Sequence, residues 1–316
     1  MQESVKERFA PIVMFVYNRA DHFEQTYRAL SKCPEAKDSV LFVFSDGPKN
    51  EAGAAKVQEV RYALRAAQEE CAFKEFHIVE SSENKGLKES IISGVSHVLS
   101  KYGRVIVLED DCVVAPSFLG FMNMCLDTYS ENSKVGSIAG FMPSMEYLYN
   151  AERDVFFAYR SCSMGWATWK DRWDTINWTI PIINRFYEQP KLIRKLNSCG
   201  TDRFLRLYRQ TKGNSSSWSI RFGAQLVLND QYTVYPRYSY VSNIGCDASG
   251  VHSRVEDAAS VQVDLSKAIE NPKLTEVEFD PRVQKAMKKH YSAGIVSDVK
   301  RFLATAGIVL RERLKR

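Results

Sequence analysis

The sequence predicts an α/β fold with a mostly parallel central sheet covered by helices. Three observations predict it. The runs Pro11–Tyr17, Val40–Phe44 and Arg104–Leu108 are apolar without alternation, which suits strands buried on both faces. The segments between them repeat apolar residues at helical spacing. Strand and helix patterns then alternate through the first third of the chain, as in βαβ units.

Pro11–Tyr17 (PIVMFVY) is the first strand, followed by a loop at Asn18-Arg19-Ala20. Asp21 and Glu24 match an N-cap and its reciprocal N3 carboxylate, and Phe23, Tyr27 and Leu30 recur on one face, so a helix is expected over 22–31. Val40–Phe44 is the second strand, closed by the turn Ser45-Asp46-Gly47-Pro48. Val57, Val60, Leu64, Ala67 and Cys71 mark a long helix, Phe76–Val79 a short third strand, and Leu87, Ile91, Val95 and Val98 another helix. Arg104–Leu108 is the fourth strand, and it runs into Glu109-Asp110-Asp111.

The second half is less periodic and more aromatic. A helix is expected over 117–129, and strands at Val135–Ala139 and Val155–Tyr159. Trp166, Trp169 and Trp173 follow in close succession; flat rings of this kind serve cores and stacking surfaces equally. Phe186–Tyr208 reads as mostly helical, 212–218 as a loop, Trp218–Leu228 as helical, and Val241–His252 as a loop.

Composition excludes several classes. In 316 residues, 45% are hydrophobic and 26% charged, unlike a disordered, collagen-like or coiled-coil chain. No apolar run approaches the ~18 residues of a membrane span, and Met1–Phe9 does not read as a secretory leader. The seven cysteines form no C-x-x-C pair, which favours a reducing compartment over a disulfide scaffold or cysteine-rich zinc site. The net charge of +5 is a property of the tail: ten Lys and Arg against Asp298 and Glu312 give Pro281–Arg316 a charge of +8. A nucleic-acid protein would carry its basic residues across the main domain, so no nucleic-acid partner is expected. Interspersed with the tail's charges are Val283, Met287, Ile295, Val299, Phe302, Ala306 and Val309, a mixture that suits either a solvated helix or anionic lipid headgroups.

Ligands of open parallel sheets bind beyond the carboxyl ends of the strands. Asn18-Arg19, Asp46 and Glu109-Asp110-Asp111 stand there. Neither G-x-G-x-x-G nor G-x-x-x-x-G-K-[ST] occurs at the early turns, so neither a dinucleotide fold nor a P-loop is expected. Three adjacent acids bracketed by Val105–Leu108 and Cys112–Val114 repel one another. A bound Mg2+ or Mn2+ would offset that repulsion and could also carry phosphates.

The first strand, the Asp46 turn, Asn84-Lys85-Gly86, Leu108–Asp111 and Gly165-Trp166 together resemble a nucleotide-sugar glycosyltransferase of the GT-A fold over roughly residues 10–255. The pattern is similar to the branch containing protein N-acetylglucosaminyltransferase I, and more closely to bacterial polysaccharide-assembly transferases. The resemblance implies a catalytic domain over 1–255, with a nucleotide-binding half at 10–112 and an acceptor-side half at 113–255. A basic helical appendage would occupy 256–316. It implies that Asn18, Arg19, Asp46, Asn84, Lys85, Gly86, Glu109, Asp110 and Trp166 line the donor site. Asp111 would hold a Mn2+ or Mg2+ ion on the diphosphate, with His252 as a second metal ligand. The donor by resemblance is a UDP-linked hexose or N-acetylhexosamine, and the acceptor a glycan or lipid-linked saccharide. The setting would be the cytoplasm, with the tail at the inner membrane face. An inverting transfer needs a general base. The family's acidic residue before a tryptophan is replaced here by Ser215-Ser216-Ser217 ahead of Trp218. Asp202, Asp171 or Asp174 could take the role, or the chain could be a donor-binding scaffold without transfer. A sugar nucleotidyltransferase shares fold and metal, but Asn18–Asp21 is not the Gly-rich basic loop a triphosphate needs.

Overall fold

The computed structural model describes residues 7–145, 148, 152–247 and 258–315. Strands β1 (Ile12–Val16), β2 (Val40–Ser45), β3 (Glu75–Glu80) and β4 (Arg104–Glu109) alternate with helices α1 (Ala20–Leu30), α2 (Glu51–Glu69) and α3 (Gly86–Tyr102). All four strands pair in parallel, in the order β3-β2-β1-β4. Apolar continuity has the predicted cause: within β1, Ile12, Met14 and Val16 face one core layer and Val13 and Phe15 the other. Side chains alternate across a strand, so a strand covered on both faces must be apolar at every position.

The next elements are β5 (Cys112–Val114), α4 (Phe118–Thr128), β6 (Val135–Ala139), β7 (Val155–Ala158), β8 (Trp166–Trp169) and α5 (Lys170–Trp173). They are followed by α6 (Ile183–Glu188), α7 (Pro190–Leu196), α8 (Arg203–Thr211) and α9 (Trp218–Leu228). Strands β9 (Tyr232–Pro236) and β10 (Val241–Asn243) precede α10 (Ala258–Val261), α11 (Pro281–His290) and α12 (Ile295–Leu314). The sheet continues beyond β4 as β8-β6-β9-β7. β8 runs antiparallel to both β4 and β6, β6 pairs with β9 in parallel, and β7 is antiparallel to β9. The sheet is therefore mostly parallel, as expected, with antiparallel pairings only from the β4–β8 junction onward.

Several local expectations change. The first helix begins at Ala20, and Asp21 lies inside its first turn without capping it. The tryptophan cluster is split: Trp166–Trp169 is a fully buried strand in the middle of the sheet. Phe186–Tyr208 is three short helices, because Pro190 starts a new helix and Gly200 interrupts the next. Tyr232–Pro236 is a buried strand that the helical periodicity before it concealed, and Val241–Asn243 pairs with β5 instead of lying in a loop. The tail is docked. Val283 and Met287 of α11 are buried in the same core as β7, and Gln284 donates to the Phe157 carbonyl at 2.8 Å.

Candidate active site

Strand register brings the predicted residues to one edge. Val16 lies opposite Ser45, and Phe15 opposite Glu109, so β1, β2 and β4 end together. Backbone bonds extend the alignment beyond the strands: Asp46 N donates to the Val16 carbonyl at 3.2 Å and Asp110 N to the Phe15 carbonyl at 3.1 Å. Asn18-Arg19, Asp46 and the acidic triplet follow from these ends.

Arg19 holds the triplet together. Its Nη2 contacts Asp110 and donates to Asp111 Oδ2 at 3.0 Å, while Nε reaches Asp110 Oδ2 at 3.4 Å. Burial opposes the charge on Arg19, but the attraction of Asp110 and then Asp111 outweighs it, so the guanidinium stays more firmly protonated than a free arginine. Burial, followed by the charges of Asp111 and Asp110, pushes the Glu109 carboxyl up to about 8. Burial also raises Asp110 to about 6, against the pull of Arg19. Thr26 Oγ donates to the Asp110 carbonyl at 2.7 Å, which ties the triplet to α1.

The β5–β10 ribbon supplies partners that local sequence patterns did not reveal. Asn243 pairs with Cys112 across the ribbon. Its Nδ2 donates to Asp111 Oδ1 at 2.8 Å, and the Ile244 N–H donates to the Asp111 carbonyl at 2.9 Å. Gly245 N in turn donates to Asn243 Oδ1 at 3.0 Å. A Cβ at Gly245 would overlap Asp111 Oδ2 and stand 3.1 Å from Arg19 Nη1. Beside them, His22 lies 3.2 Å from Asp247. The only advance signal for these residues was their position in a polar, Gly-containing segment.

Asp46 has a supporting place. One carboxylate oxygen accepts from the Gly47 and Lys85 N–H groups at 2.9 and 2.8 Å, and the other from Gly86 N at 2.9 Å and Asn84 Nδ2 at 3.2 Å. It therefore anchors Asn84-Lys85-Gly86 at the start of α3, with the Asn84 and Lys85 side chains exposed. Gly47 is required by close approach: a Cβ there would lie 2.5 Å from the Glu83 backbone carbon.

Four predicted residues are placed differently. Trp166 is 1% exposed and packs on Trp173, Trp218 and Phe222, so it is core and not the floor of a pocket. Asp171 and Asp174 lie at the wrong edge. β8 runs antiparallel to β4 with Trp169 opposite Arg104 and Trp166 opposite Val107, which puts α5 beyond the start of β4, about 16 Å of strand away from the triplet. Asp171 pairs there with Arg172, and Asp174 with Lys170. Asp202 is bound to Arg160 at 3.2 Å and Arg206 at 3.6 Å. Burial alone would raise its carboxyl, but Arg160, Arg203 and Arg206 hold it below the usual range, which makes it a weak base. His252 lies outside the described residues.

No protein-family model and no curated protein matches the chain. Many solved structures are similar to it. One is glucosyl-3-phosphoglycerate synthase from Mycobacterium tuberculosis in complex with Mn2+, UDP and glucosyl-3-phosphoglycerate, at TM-score 0.33 and 11% identity. That match covers 53% of this chain and 58% of that one. Another is S. aureus TarS, at TM-score 0.40 and 10% identity, covering 73% of this chain and 36% of that one.

The donor set fits a hard divalent cation. Two carboxylates, Asp110 and Asp111, converge on one guanidinium nitrogen. Among the described residues no group of three His, Cys, Asp or Glu surrounds a common point. Mg2+ in phosphate sites takes one or two carboxylates and completes its shell with substrate oxygens and water, so no full protein cage is required. If the pair holds a cation, Gly245→Ala is expected to weaken Mn2+ binding by about 10–100-fold, the range seen when the residues that orient a metal ligand are disturbed. Calorimetry against wild type, with an unchanged circular dichroism spectrum, would check it.

Proposed function

We propose that the protein transfers a sugar from a nucleotide-sugar donor to a saccharide or lipid-linked saccharide acceptor, using Mn2+ or Mg2+. The observation that carries the reading is the convergence of Asp110 and Asp111 on Arg19 at the carboxyl edge of the parallel strands. Ligands of such sheets bind beyond this edge, and the resemblance of Leu108–Asp111 to the GT-A transferases points the same way. Asp111, with Asp110, would hold the cation, which supplies neutralisation of the diphosphate leaving group. Asn243 fixes the orientation of the Asp111 carboxylate, so that ligand is pre-set before the donor arrives. Arg19 balances the two acids and would offer its guanidinium to an incoming diphosphate. Asp46 holds the Asn84–Gly86 turn against the end of β2. Glu109 makes no side-chain hydrogen bond among the described residues and is free to meet a sugar or ribose hydroxyl. UDP-linked hexoses and N-acetylhexosamines are the donors to try first, in a polysaccharide-assembly setting.

A second reading is favoured by one observation. None of the three aspartates considered as a base is a free carboxylate at the site, since each is paired with Arg or Lys. Such a chain would bind donor without transferring it. A thermal-shift panel of nucleotide sugars with and without Mn2+ identifies the donor, and donor hydrolysis then separates the readings. Mn2+-dependent release of nucleoside diphosphate supports transfer; binding without release supports the scaffold; no Mn2+-dependent shift with any nucleotide sugar overturns both.

A further inference from the structure

Helix α12 is seated by one side only. Thr305 is buried, Asp298 accepts from Thr201 and Ser292 hydroxyls at 2.6 Å, and Ile308 and Val309 pack against the main core. Near the end of the helix, Arg313 donates to the Tyr187 and Glu188 carbonyls at 2.7 and 3.0 Å. At about 100° per residue, the side facing away from Thr305 carries Val296, Val299, Leu303, Leu310 and Leu314. These are 71%, 51%, 62%, 62% and 79% exposed. The apolar stripe expected from sequence is thus the wrong one in part: Val283 and Met287 are spent in the core, and the outward row is a different set. Exposed Lys300 and Arg311 lie along one side of it, and α11 adds exposed Lys285, Lys288 and Lys289.

We propose that this outward row of α12 lies in the interface of an anionic lipid bilayer. A continuous apolar row on the outer side of a surface helix marks an interaction site. Charge complementarity selects its occupant. The segment from Pro281 carries +8, so pairing two copies through the row would bring like charges together, whereas anionic headgroups neutralise them. An apolar row with basic residues beside it is the pattern of a helix that lies in the plane of the membrane surface. No helix among the described residues is long and apolar enough to cross a membrane. The surface is separate from the carboxyl-edge site and does not depend on the transferase reading.

The test is co-sedimentation of the full chain with vesicles of equal parts phosphatidylcholine and phosphatidylglycerol, and with phosphatidylcholine alone. Wild type is expected to bind the mixed vesicles, to release them as salt rises, and to bind the neutral ones at least tenfold more weakly. Leu303→Glu/Leu314→Glu should lower binding by tenfold or more with an unchanged unfolding midpoint, since both side chains already face solvent. Lys300→Gln and Arg311→Gln should each lower it by about fivefold. Equal binding by wild type and the double-Glu variant would overturn the proposal. So would a wild type that ignores both vesicles and instead forms a dimer in sedimentation equilibrium that the double-Glu variant dissolves.

Discussion

Asp111→Asn should reduce Mn2+-dependent affinity for the nucleotide-sugar donor by on the order of 100-fold or more. Disturbing residues that merely orient a metal ligand costs about 10–100-fold, and this change removes a carboxylate that would ligate directly. The neutral amide is close to isosteric, so packing is largely kept. Arg19 loses one of its two acidic partners but keeps Asp110. The loss should be confined to binding measured with the metal. Calorimetry with and without Mn2+ reads this directly: an unchanged metal-dependent affinity would remove Asp111 from the proposed site and the transferase reading with it.

Asp202→Ala should act on stability instead, lowering it by about 3–5 kcal/mol, the cost of stripping one partner from a buried ion pair. Arg160 is 7% exposed and Arg203 3%. Burial, then Arg160 and Arg206, already pulls the Arg203 guanidinium down to about 9, the sign of a cluster short of negative charge. Asp202 is the acid that these cations share, and Arg160 also stacks on Tyr291 of the link between α11 and α12. Removing the carboxylate leaves like charges facing one another where water cannot screen them. Urea unfolding of the variant checks it. A variant as stable as wild type but slowed in transfer would instead return Asp202 to the role of base.

The two substitutions separate what local pattern reveals from what it hides. The parallel half was visible because each of its strands is a short contiguous apolar run whose cause, burial on both faces, acts residue by residue. Trp166–Trp169 escaped the same reasoning. Four residues of mixed size within an aromatic cluster carry no clear period, and their strand character comes from insertion between β4 and β6. The acidic triplet was conspicuous because like charges beside an apolar run are costly without a counter-ion. Its neutralisation by Arg19 could be inferred only as proximity to a shared ligand. The contact itself depends on the β1–β4 register.

Composition and periodicity alone thus set the α/β class, the parallel strands and the edge at which the acidic triplet stands, since each follows from the local cost of exposing apolar or crowding charged groups. Three things had to wait for the folded chain: the Asn243 and Gly245 partners of Asp111, the displacement of Asp171 and Asp174 to the opposite edge, and the side that α12 turns outward. Each depends on which distant segments pack together. A residue's own neighbours in the chain hold no record of that.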